Sequence, residues 1–170
     1  MKTTTPTTTP TTIESQLVNE LVSATRDVFK TMVFQDAIPA APPIDGSALK
    51  PGSNVVGTVA FAGSTSGVVA FYSTLNTARE LTAHMLGIDP ATVNGELPDA
   101  IGELTNMIAG SFRTRMADHS HEAWAISVPS VTIGSDFHTK YVSDDVQRVL
   151  CPFEVDSKEV FVELIVTRRR

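Results

Sequence analysis

Apolar positions along the chain fall into two rhythms, one helical and one close to continuous. Ile13, Leu17, Leu21, Val28 and Met32 recur at helical intervals, with Val18, Phe29 and Val33 widening the stripe. This spacing predicts a helix from Ile13 to about Phe34. Residues 35–53 hold Pro39, Pro42, Pro43 and Pro51 and read as an irregular connection. Asn54 to Ala62 is rich in valine and phenylalanine, Gly63 to Gly67 supplies a turn, and Val68 to Ser73 returns. That is a hairpin whose strands are apolar on both faces, so the sheet is expected to be largely covered. Thr77 to Leu86 predicts a short helix stopped by Gly87, and Asp89-Pro90 a turn.

A longer helix is predicted from about Leu97 to His119, with Pro98 suited to its first turn. The remainder reads as strand. Ala125 to Gly134 is interrupted by Pro129, which implies an edge or a bulge. Asp145 to Val155 and Lys158 to Thr167 form a second hairpin turning near Asp156-Ser157, with Val160, Val162, Leu164 and Val166 on one face. The order α-β-β-α-α-β-β-β predicts an α+β fold, a mainly antiparallel sheet with helices packed on it. Residues 1–12, MKTTTPTTTPTT, are low in complexity and are expected to be a disordered tail. Residues 13–167 then form a single domain.

Composition narrows the partners. The formal net charge of -6 argues against nucleic acid and anionic membrane surfaces, which need a basic face. The terminal Arg168-Arg169-Arg170 run is too short to change this and reads as a solvated tail. Met1-Lys2 leads into threonine and proline, without the apolar stretch of a signal peptide, and no window has the length of a membrane span. A cytoplasmic location is expected. Cys151 is the only cysteine, so no internal disulfide forms, and its apolar surroundings predict a small buried thiol.

The third predicted helix carries the candidate chemistry. Leu97, Ile101, Leu104, Ile108 and Phe112 cluster in one apolar arc. Asp99, Glu103, Asn106, Gly110 and Arg113 occupy the opposite face, where Glu103 and Asn106 stand side by side. An exposed polar face is by itself the ordinary solvated side of a helix. Gly102 and Gly110 also lie away from the arc, each at about 1 kcal/mol relative to alanine. They either leave room for a partner or pack against a neighbouring loop. A carboxylate can pair with a lysine, and a carboxamide can accept from water and aim its lone pair. Neither group is a good nucleophile.

The stretch Asp99-Ala100-Ile101-Gly102-Glu103-Leu104-Thr105-Asn106-Met107-Ile108-Ala109-Gly110-Ser111-Phe112 resembles the signature helix of the CheX branch of the CheC/CheX/FliY chemotaxis phosphatases. Ile126 to Val131, with Gly134, is similar to the strand that follows it in that family. The resemblance implies an enzyme that removes phosphate from the aspartyl-phosphate of a CheY-like response regulator. It implies that Glu103 docks on the regulator's lysine and Asn106 orients the attacking water. Asp99, Gly102, Gly110 and Arg113 would then face the partner. The Mg²⁺ would belong to the regulator, with no cofactor or metal on this chain. The second Glu-x-x-Asn of the CheC branch is absent, since Glu14 is followed by Leu17 and Glu20 by Ser23. One motif per chain is similar to CheX and implies a homodimer.

Two other readings stay open on the residues. One is a non-catalytic module of the same fold that docks a regulator or a flagellar switch protein. The other is a metal hydrolase built on His119 and His121, although i and i+2 histidines do not share a helix face. His84 and His138 have no evident partners, and Gly63-Ser64-Thr65-Ser66-Gly67 joins two strands, unlike a nucleophile elbow.

Overall fold

The computed structural model describes residues 12–46, 52–135 and 145–167, with side chains from Ser15 onward. The tail before residue 12, the terminal arginines and His138 lie outside the described residues.

Helix α1 spans Thr12–Val28 and continues through one wider, π-helical turn, Phe29–Val33. Its stripe of Leu17, Val18, Leu21, Ala24, Val28, Phe29 and Val33 is buried. Phe34 ends it in the left-handed region at φ 59. The following segment is less irregular than its prolines suggest. Two short strands, β1 (Ile38–Pro39) and β2 (Ile44–Asp45), are present there. Two-residue strands leave no period to read, and a proline is tolerated at a sheet edge.

Strands β3 (Val55–Ala62) and β4 (Ser66–Ser73) form the first hairpin. Helix α2 runs Leu75–Leu86. The Thr74 hydroxyl caps it by accepting from the Thr77 N–H at 3.1 Å, and Gly87 stops it at φ 65. Helix α3 runs Leu97–Ser120 with Pro98 in its first turn. Short strands β5 (Ala125–Ile126) and β6 (Ser130–Ile133) follow, then β7 (Val146–Val155) and β8 (Lys158–Thr167). Asp156 and Ser157, at φ 47 and φ 61, make the two-residue turn whose twist suits a hairpin.

Among the described residues these strands form one antiparallel sheet, ordered β1-β7-β8-β4-β3-β5, with β2 also on β7 and β6 also on β3. One face carries the main core. Val55, Val59, Phe61, Val69, Phe71, Cys151, Phe153, Val160, Val162 and Leu164 pack there with the apolar sides of the three helices. The other face buries a smaller cluster of Val56, Ala70, Tyr72, Leu150 and Ile165. Glu163, fully buried, is bonded on that side by the Tyr72 hydroxyl and the Arg148 guanidinium, each at 2.6 Å. The double burial expected from the all-apolar β3 and β4 is therefore present. The predicted fold class holds: an α+β domain on a mainly antiparallel sheet.

Candidate functional site

Helix α3 is held at three places, and each is set by residue chemistry. At its N-terminal half, Gly57 of β3 lets the helix approach the sheet. A Cβ at Gly57 would stand 2.0 Å from the Thr105 Oγ1. Thr105 is fully buried, and its hydroxyl is satisfied by donating to the Ile101 carbonyl at 2.7 Å. At the C-terminal half, Phe61, Phe112 and Trp124 form an aromatic cluster with centroids 5.4–6.3 Å apart. The Trp124 Nε1 donates to the Ser120 Oγ at 3.0 Å. On the flank facing α1, the Arg115 guanidinium bonds Glu20 at 3.3 Å and also Asp27, while His119 Nε2 lies 2.8 Å from the Glu20 carboxylate.

That last cluster assigns two sequence features. Glu20 is an interhelix anchor whose carboxyl is held below its ordinary range, chiefly by the hydrogen bond to His119 and further by Arg115, against the opposing effect of burial. His119 is committed to Glu20, and His121 terminates the helix at φ 55. Among the described residues no group of three or more His, Cys, Asp or Glu side chains is placed to hold a metal.

The expected polar stripe lies between these anchors. Asp99, Glu103 and Arg113 are exposed, and Asn106 and Gly110 are half-buried. Among the described residues, the side chains of Asp99, Glu103, Asn106 and Arg113 make no hydrogen bond or ion pair. Elsewhere on the same helix Thr105, Thr114, Arg115, His119 and Ser120 are all bonded. The helix thus presents the Glu103 carboxylate and the Asn106 carboxamide side by side, uncommitted among the described residues and on a braced backbone.

Gly102 corrects the expectation that it lies open to a partner. It is buried under β6, where a Cβ would meet Val131 at 3.5 Å and Pro129 at 3.8 Å. Gly110 faces Ile126, with a Cβ distance of 3.9 Å. The strand segment therefore tracks one flank of the helix and covers Gly102, with room left for a methyl group at ordinary contact distance.

That segment carries a bulge. Ile126 pairs with Phe61 and Ser130 with Thr58, so Ser127, Val128 and Pro129 oppose only Val59 and Ala60. Ser127 repairs the interrupted ladder: its N–H donates to the Ala60 carbonyl at 2.9 Å, and its Oγ accepts from the Ala60 N–H at 3.0 Å. Its hydroxyl donates onward to the Val128 carbonyl at 2.9 Å. Pro129 signalled the break in sequence, but the role of Ser127 carried no signal. Gly57 could have been suspected as a glycine inside a strand.

Residues 55–154 match the sequence model of the chemotaxis phosphatase CheX. The chain belongs to the CheX family. No curated protein sequence matches it. A chemotaxis protein CheX from Desulfovibrio desulfuricans superposes on this CheX-family chain with a TM-score of 0.75 at 25% identity, covering 89% of this chain and 99% of that one. CheX from Vibrio vulnificus gives a TM-score of 0.78 at 24% identity over the same shares, 89% and 99%. CheX from Borrelia burgdorferi, solved as a complex with CheY, BeF3 and Mg2+, gives 0.70 at 20% identity, covering 90% and 98%.

Proposed function

We propose that this protein hydrolyses the aspartyl-phosphate of a CheY-like response regulator, with Glu103 as the docking carboxylate and Asn106 as the water-positioning amide. The observation that carries this is the uncommitted Glu103–Asn106 pair on a braced helix of a chemotaxis-phosphatase family member. The likeness to a CheX solved with CheY, BeF3 and Mg2+ supports the class of partner.

The chemistry follows from the side chains. The Glu103 carboxylate forms a charge-assisted bond with a lysine at the regulator's phosphorylation site. That bond sets the helix against the phosphoryl group. The Asn106 carboxamide oxygen accepts from a water and turns its lone pair toward phosphorus, as positioned amides do in other phosphate hydrolyses. Water attacks in line with the bond to the aspartyl oxygen. That bond breaks, leaving inorganic phosphate and a free carboxylate on the regulator. Positioning supplies the rate, so no covalent intermediate forms on this chain. The metal that neutralises phosphate charge is the regulator's own. We extend the reading to a homodimer, on the single motif per chain, which light scattering of the full chain checks.

A phosphate-release assay against a panel of phosphorylated response regulators tests the proposal. Asn106→Ala should slow release on the order of 100-fold at saturating regulator, since misplacing one reacting group costs about that much. Glu103→Ala should act mainly by raising KM. Unchanged release with Asn106→Ala overturns the mechanism. Binding without any release in the wild type would instead make the chain a docking module.

A further inference from the structure

We propose that Val128, the residue thrust outward by the β5–β6 bulge, is a docking and specificity contact for the regulator beside Asn106. This rests on the reading that a phosphorylated receiver domain docks at Glu103 and Asn106.

Three observations place Val128 there. It is 85% exposed, the highest value among the exposed large hydrophobic residues described. Its level along α3 is bracketed: Ile126 packs against Gly110, and Pro129 and Val131 against Gly102. Those glycines are two helical turns apart, about 12 Å at 1.5 Å per residue, which matches the reach of three or four extended residues. Val128 lies between Ile126 and Pro129 in sequence, and Asn106 lies between Gly102 and Gly110 on α3. With a helix turning about 100° per residue, Asn106 also falls between Gly102 and Gly110 in direction. The bulge residue is therefore placed at the level of the amide along α3.

Side-chain parity shows that the bulge creates this exposure. Ile126 and Val131 both face α3, yet they are five residues apart. A regular strand would send them to opposite faces. The one extra residue restores Val131 to the core and leaves Val128 outside it. The position is also fixed, because Ser127 holds the Val128 carbonyl and both backbone groups of Ala60. A partner that brings a phosphoryl group to Asn106 must cover this side chain. An apolar contact flanking the phosphorylated aspartate, set against the polar Glu103 and Arg113, is the complementary surface.

The test uses a regulator from the panel, held phosphorylated-like with beryllofluoride and Mg²⁺, and the full-length chain. Val128→Asp should weaken its binding about 10-fold or more and raise KM for phosphate release, with kcat unchanged. Val128→Ile should bind as the wild type does. Thermal melting should be the same for all three, since the side chain touches solvent. If Val128→Asp binds normally while the wild type releases phosphate, the inference is wrong and the proposed function stands. A fall in kcat at constant KM also overturns it, because the residue would then act in the chemistry. A wild type that neither binds nor dephosphorylates any regulator of the panel overturns both.

Discussion

Polar side chains on α3 divide into two sets, and the division is what makes a site visible. Arg115, His119 and Thr105 are spent on structure, whereas Glu103 and Asn106 bond to nothing among the described residues. Periodicity alone placed the pair on one exposed face, because i and i+3 must share one. It could not distinguish a solvated face from a docking face. Nor could it foresee that Gly102 is covered, since the covering residues Pro129 and Val131 come from a separate strand. Cys151 shows the same contrast between reactive type and inert setting. Burial, with a contribution from the negative charge of Glu163, pushes its thiol up to about 12. A thiol reagent at neutral pH should therefore leave the native protein unmodified and label one cysteine per chain on unfolding in denaturant. Rapid labelling of the native protein would contradict the burial.

Elements are where most of the sequence reading succeeded. Long amphipathic helices and the two hairpins have local signatures, such as the Gly87 stop and the Asp156-Ser157 turn. The short strands β1 and β2 had none, because they exist only through pairing with β7, more than a hundred residues later. The seating of α3 is likewise a long-range matter. Gly57→Ala should cost about 1–3 kcal/mol, as overpacking does, because its methyl group would collide with Thr105. It should also lower the proposed phosphatase activity by displacing the helix. Gly102→Ala should behave oppositely. Its methyl group meets Val131 and Pro129 at ordinary contact distance, and the helix gains up to about 1 kcal/mol. Denaturant titration of the two variants separates them by sign. Equal destabilisation would show that α3 is seated differently.

Across the whole molecule, α1 and α3 are clamped by charge as well as by apolar burial. The Glu20 carboxyl titrates below its ordinary value of 4.5 because His119 and Arg115 hold the charged form. A depressed carboxylate pKa adds stability above the unfolded value and loses it as pH falls through the folded one. Denaturant midpoints should therefore fall on acidification below about 4.5, and Glu20→Gln should flatten that dependence. A wild-type-like pH profile in the variant would remove Glu20 from the clamp. The bulge has a different kind of consequence. Val128 adds an exposed side chain at the level of the candidate site without joining the ladder or the core. Its identity can drift freely as far as folding is concerned. Under the proposed function, partner preference can then be retuned by one substitution while Glu103, Asn106 and the scaffold stay as they are.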